Sequence, residues 1–140
     1  MALVSEPETA GLHEALRAQG AELYLPRLRP DGSLDLVRWA GEPLPVGPRG
    51  VVEPPGEPVE RASIDVVVLP ALAVDPDTGV RLGRGGGAYD RLLSTLPAET
   101  ALVALLGDVS ELQDLHSYAE WHDRPVHAAA TPTGLHPCGA

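Results

Sequence analysis

Two stretches decide how this chain reads: Ile64-Asp65-Val66-Val67-Val68-Leu69-Pro70-Ala71-Leu72 and, shortly after it, Arg81-Leu82-Gly83-Arg84-Gly85-Gly86-Gly87-Ala88-Tyr89-Asp90-Arg91. The first is a nearly continuous apolar run. Its length and β-branched content predict a strand, central in its sheet and buried on both faces. The second is a glycine-rich turn running into a helix that the pattern places over residues 87–96. A strand, a glycine turn and a helix start together suit an anion. Glycines let a phosphate approach bare backbone N–H groups, and the helix dipole favours negative charge. Arg81 and Arg84 add positive charge to the same turn.

Two familiar glycine motifs are excluded. A P-loop ends in Gly-Lys-Ser/Thr, and this chain has no lysine. A dinucleotide fingerprint needs G-x-G-x-x-G and an acidic residue about 20 positions on. Here Gly83, Gly85 and Gly87 fall at G-x-G-x-G, with no clear ribose partner. Glycine content alone more often marks a flexible loop than a ligand site. The flanking strand, the arginines and Asp90 favour a ligand site.

Outward from this centre, Ser5-Glu6-Pro7-Glu8 has capping-box spacing, and Leu12, Ala15 and Leu16 form a helical stripe that Gly20 stops. Glu22 to Pro26 and Leu34 to Trp39 read as strands around the turn Pro30-Asp31-Gly32-Ser33. Residues 41–60 are rich in Pro and Gly and read as a long surface connection. Ala101 to Leu106 reads as a second central strand. Asp108 to Leu115 reads as a short helix with Asp108 or Ser110 near its start, and Pro125 to Ala130 as a final strand. Strands alternating with helices predict an α/β fold: a three-layer sandwich with a largely parallel central sheet, in a single domain over residues 1–140.

Bulk composition narrows the function classes. At 140 residues the chain can bury a full core. Its net charge of −10, with every basic residue an arginine, makes it a poor general binder of nucleic acid or anionic membrane. No apolar run approaches a membrane-spanning length, and the start lacks a secretory pattern. The lone Cys138 excludes an intrachain disulfide and fits a reducing cytoplasm. His13, His116, His127 and His136 lack metal-ligand spacing. His122 and Asp123 are neighbours, so on a strand they would face opposite ways.

The ordered set Asp65, Pro70, Asp75, Gly79, Arg81, Leu82, Gly83, Gly85, Gly86, Gly87, Tyr89, Asp90 and Arg91 resembles the signature of the 5-formyltetrahydrofolate cyclo-ligase family, also called methenyltetrahydrofolate synthetases. Three further segments resemble the family in the same order: Ser5 to Thr9, Gly50 to Pro54, and Glu120 to Val126, with Thr131 where the family's last strand ends. The likeness spans nearly the whole chain. Two departures stand out. Relatives mostly carry aromatic residues where this chain has Arg84 and Ala88. Family members also open with a helix whose Lys and Arg help bind ATP, whereas this chain begins past that point. The resemblance therefore implies an N-terminally short member.

The resemblance implies ATP- and Mg²⁺-dependent closure of 5-formyltetrahydrofolate to 5,10-methenyltetrahydrofolate, with ADP and phosphate released, by a cytoplasmic monomer. The ATP site would comprise Arg81, Gly83, Arg84, Gly85, Gly86, Gly87, Ala88, Tyr89, Asp90 and Arg91. Arg84 and Tyr89 would act on the reacting groups, and Glu6, Gly86 and Tyr89 would hold the folate. Asp90 and Asp123 would hold Mg²⁺, which takes oxygen ligands. Plainer roles stand beside these: a helix cap for Asp90, an ion pair for Arg91, a solvated loop carboxylate for Asp123, a dipole partner for Glu6, and a core ring for Tyr89. Two other functions compete: an inactive folate- or nucleotide-binding homolog, and a phosphate-handling enzyme of similar sandwich fold such as a sugar-phosphate isomerase. For the isomerase, the needed acid and base residues have no clear place.

Overall fold

A computed structural model describes residues 10–41, 54–83, 88–115 and 124–139. The chain opens with helix α1 (Ala10–Ala18), which ends just before Gly20. Strands β1 (Leu23–Leu28) and β2 (Leu34–Trp39) pair antiparallel as a hairpin, with Leu25 opposite Val37. Asp31 organises the hairpin turn: its Oδ1 accepts from the Ser33 N–H at 2.9 Å and the Ser33 hydroxyl at 2.6 Å. Helix α1 meets the hairpin at Trp39. The His13 ring lies edge-on to Trp39 at 5.3 Å, and the Arg17 guanidinium sits 5.7 Å from its ring centre.

The main sheet has four strands: β3 (Val66–Pro70), β6 (Ala101–Leu105), β7 (Ala128–Thr131) and β8 (Gly134–Pro137), in that spatial order. The β3–β6 and β6–β7 pairs are parallel, and β7–β8 is antiparallel. Between β3 and β6 run β4 (Ala73–Val74) and β5 (Arg81–Leu82), an antiparallel pair of their own, and helix α2 (Ala88–Leu93). The fold is α/β with a mixed sheet.

Pairing register places Val67 and Leu69 beside Leu102, Ala104 and Ala129 on one sheet face. That face carries the core: Leu69, Leu102, Ala104 and Ala129 are fully buried, and Leu92, Leu93 and Leu96 pack with Leu34 and Leu36 in the same cluster. Burial of a leucine side chain contributes about 2 kcal/mol, so this face dominates stability. The opposite face is also apolar but more open, with Val66 53 % and Val68 41 % exposed.

This corrects the expectation of a central, two-sided-buried strand at Ile64 to Leu72. Among the described strands β3 lies at the sheet edge, and β6 holds the centre. A continuous apolar run reports composition. It does not report which neighbours cover the second face.

Helix α2 is shorter than the span 87–96 predicted. The Ser94 hydroxyl donates to the Arg91 carbonyl and the Thr95 hydroxyl to the Leu92 carbonyl, taking acceptors that a continuing helix would use. The helix expected from Asp108 to Leu115 is a single tight turn, Val109–Glu111. Asp108 starts it as expected, its Oδ1 accepting from the Ser110 N–H at 2.8 Å. Beyond it, strand-like pairing wins: Leu112 bridges Val74, and the Gln113 N–H donates to the Val74 carbonyl. The strand expected at Pro125 to Ala130 starts at Ala128, and it is not the last, since β8 follows.

Candidate functional site

The glycine run lies between two described walls. The leading wall is the β4–β5 hairpin. Its connection is organised by Asp75, which is only 4 % exposed. The Asp75 carboxylate accepts from the Leu115 N–H at 3.0 Å and the Asp77 N–H at 2.9 Å. The Leu115 amide, then the Asp77 amide, hold its pKa below the usual carboxylate range, since both bonds favour the charged form. Gly79 closes the connection with φ 76° and its N–H donating to the Asp75 carbonyl at 2.8 Å. Its Cα faces the Val126 carbonyl so closely that a Cβ would overlap it. Only glycine serves there.

The trailing wall is α2. Leu92 and Leu93 anchor it in the core, and Tyr89 packs against the same cluster. Its charged side chains point in different directions. Asp90 is ion-paired with Arg81, so one pair bridges the two ends of the glycine run. The Arg81 side chain is 7 % exposed, whereas that of Asp90 is 66 % exposed. Arg91 instead donates to the Gly32 carbonyl in the β1–β2 turn at 2.8 Å. Gly83 lies against Arg81, and a Cβ there would come within 2.9 Å of the guanidinium Nη1.

The structure therefore brings together Arg81, Gly83 and Asp90 at the described ends of the run, whereas Tyr89 packs against the core and Arg91 reaches the β1–β2 turn; Ala88 opens α2. Arg84, Gly85, Gly86 and Gly87 lie outside the described residues, as do Glu6, His122 and Asp123. Asp90 is the third residue of α2, and its carboxylate meets Arg81.

An exposed carboxylate beside a glycine run suits Mg²⁺. This ion is commonly held by one or two carboxylates with phosphate oxygens and water completing its shell. Among the described residues no group of three or more His, Cys, Asp or Glu could hold a metal by itself. His127 is structural: its Nδ1 accepts from the Leu102 N–H at 2.9 Å, between the two central strands.

The sequence reading assigned no role to Asp75 or Arg124. The Asp-Pro-Asp-Thr-Gly run at 75–79 carried a turn signal that could have revealed the first. Arg124 carried none, because its partners are main-chain carbonyls. A separate open groove of about 360 Å³ is lined by Asp75, Asp77, Thr78, Leu112, Gln113 and Asp114. Its carboxylates suit a phosphate poorly.

Comparison with known proteins places this geometry. The family model described as the 5-formyltetrahydrofolate cyclo-ligase family matches residues 1–132. A 5-formyltetrahydrofolate cyclo-ligase of Mycolicibacterium smegmatis is 35% identical over 136 residues, covering 91% of this chain and 69% of the relative. One of Escherichia coli (strain K12) is 33% identical over 135 residues, covering 91% of this chain and 72% of the relative. The solved NMR structure of Aquifex aeolicus 5,10-methenyltetrahydrofolate synthetase superposes with a TM-score of 0.78 at 27% identity, covering 98% of this chain and 68% of that one.

Proposed function

Because the chain belongs to the 5-formyltetrahydrofolate cyclo-ligase family, a family of enzymes, we propose that it converts 5-formyltetrahydrofolate and ATP to 5,10-methenyltetrahydrofolate, ADP and phosphate. The observation that carries this reading is the glycine run bracketed by the Arg81–Asp90 pair, within a family match over residues 1–132.

The chemistry is balanced by the nucleotide. The formyl oxygen attacks the γ-phosphorus and ADP leaves. The phosphorylated formyl carbon is now electrophilic. N10 attacks it, and the carbon–oxygen bond breaks to expel phosphate, which takes the proton that N10 gives up as the methenyl bridge forms. Such a reaction asks the protein for positioning and charge neutralisation rather than a nucleophile.

In this reading the amides of Gly83, Gly85, Gly86 and Gly87 cradle the phosphates, with Ala88 at the helix start. Arg84 meets the transferring phosphoryl group, and Arg81 and Arg91 supply further positive charge. Tyr89 and Gly86 border the folate, and Glu6 contacts it. Asp90 and Asp123 would hold Mg²⁺, whose part is to neutralise phosphate charge and fix the phosphate geometry. Arg81 would hold the Asp90 carboxylate oriented until the nucleotide arrives. Its nearly buried side chain beside an exposed carboxylate supports that role.

The same proposal extends to a single-domain, three-layer sandwich acting as a cytoplasmic monomer. The free thiol of Cys138 supports a reducing compartment. Among the described residues no helix is long and apolar enough to cross a membrane.

Absorbance-followed formation of methenyltetrahydrofolate by the purified chain tests the function. Turnover that requires both ATP and Mg²⁺ is the expected result. No turnover by folded protein that still binds folate or nucleotide would leave an inactive binding homolog.

A further inference from the structure

Arg124 stands where the supports of both walls meet. Its Nη1 donates to the carbonyls of Leu93 at 2.8 Å and Leu96 at 3.3 Å. Its Nη2 donates to those of Pro97 at 2.7 Å, Thr100 at 3.2 Å and Ala98 at 3.5 Å. These acceptors run from the last residue of α2 to the residue before β6. All are neutral main-chain oxygens. A guanidinium offers five N–H donors in a fixed planar fork, so one side chain can collect several carbonyls at once. Its charge also complements the carbonyl end of the helix.

Two residues further on, the same segment grips the other wall. The Val126 N–H donates to the Gly79 carbonyl at 2.8 Å, and Gly79 packs against the Val126 carbonyl. Residues 124–126 therefore tie the far end of α2 to the β4–β5 connection. Strand β5 ends at Leu82 and α2 begins at Ala88. The two walls carry Arg81 and Asp90, whose side chains pair, so how the walls stand sets where that pair lies.

We propose that Arg124 is a positioning residue for the nucleotide site: it holds α2, which carries Asp90, against the β4–β5 hairpin, which carries Arg81, the two elements that flank the glycine run in sequence. Its guanidinium acts through main-chain carbonyls and has no contact with the reacting atoms. The inference rests on the reading of that run as the Mg·ATP site. A lysine could not replace it, because a single ammonium cannot reach carbonyls of five residues. A purely stabilising role would lower the melting temperature and leave the KM for Mg·ATP of the folded protein unchanged. A positioning role raises it.

The test uses the full chain with Arg124→Gln and Arg124→Lys. Both variants are expected to retain the circular dichroism spectrum and cooperative melting, since water can reach part of the carbonyl set. The KM for Mg·ATP should rise roughly tenfold in Arg124→Gln, a modest misplacement penalty. The KM for 5-formyltetrahydrofolate should rise as well, because Tyr89 sits on the same helix as Asp90. Arg124→Lys should fall between Arg124→Gln and wild type, and it carries the test if Arg124→Gln does not fold. An unchanged KM for Mg·ATP in a folded variant would overturn the proposal. Failure of wild-type protein to bind Mg·ATP would instead remove the functional reading beneath it, and the wild-type titration alone distinguishes that outcome.

Discussion

The two walls of the glycine run are built from different materials. The β4–β5 hairpin is held mainly by main-chain bonds. Leu72 N–H donates to the Leu82 carbonyl, Gln113 N–H to that of Val74, Val126 N–H to that of Gly79, and Gly139 N–H to that of Pro76. Beyond the hairpin's own bond, three separate segments thus fix it, and apart from Asp75 few of its side chains take part. Helix α2 has only six residues and is held by side chains: leucines in the core, Arg91 on the Gly32 carbonyl, and Arg124 on the carbonyls at its far end. One wall is set by backbone topology and the other by particular residues. Substitutions should therefore damage the first wall at few positions and tune the second at many.

The largest expected effect tests the apolar anchor of the second wall. Leu93 is 1 % exposed, so Leu93→Ala should cost about 2–5 kcal/mol through lost burial and a residual cavity. Urea unfolding measures it. Destabilisation below about 1 kcal/mol would mean that α2 is not held by its leucines.

Next comes the most constrained backbone position of the first wall. Gly79→Ala places a side chain at positive φ and against the Val126 carbonyl. The strain alone should cost about 1–3 kcal/mol. A neighbouring exposed substitution, Asp77→Ala, should cost much less. Equal effects at the two positions would erase the contrast.

A smaller effect comes through pH. The Asp75 carboxyl has its pKa lowered in the folded chain by the Leu115 and Asp77 amides. The unfolded chain therefore binds protons more readily in acid. This contribution is fully present above the ordinary carboxylate pKa of about 3.9. It is lost as pH falls through the lower folded-state value. Asp75→Asn should be less stable than wild type at pH 7, and its urea midpoint should fall less steeply below about pH 4. Parallel acid profiles for both proteins would show that those amides do not select the ionised form.

The same contrast explains what could be read from sequence. Leu34 to Trp39 and Ala101 to Leu106 have clear strand patterns, and both form strands where they were expected. Gly20 and Asp108 are local signals, and each acts on its own neighbours. The hairpin β4–β5 escaped because each of its strands has two residues, too few to show a period. Strand β8 escaped because Pro137 argues against a strand. Proline is tolerated at an edge, where β8 lies.

The site was legible where the glycine run and its flanking charges are contiguous. The Arg81–Asp90 contact follows from that proximity, although the pairing itself needed coordinates. Arg124 was invisible for a physical reason: its partners are carbonyls, which every residue has, so no side-chain pattern marks them.

The most direct test of the account is the Mg²⁺ dependence of ATP binding, measured by titration calorimetry for wild type and Asp90→Asn. Asn keeps the shape and removes the charge. The account predicts an unchanged fold, with ATP affinity in Mg²⁺ reduced by about tenfold or more, which is about 1.4 kcal/mol of lost ligand energy. Affinity and Mg²⁺ dependence identical to wild type would contradict it, and would leave Asp90 as no more than the partner of Arg81.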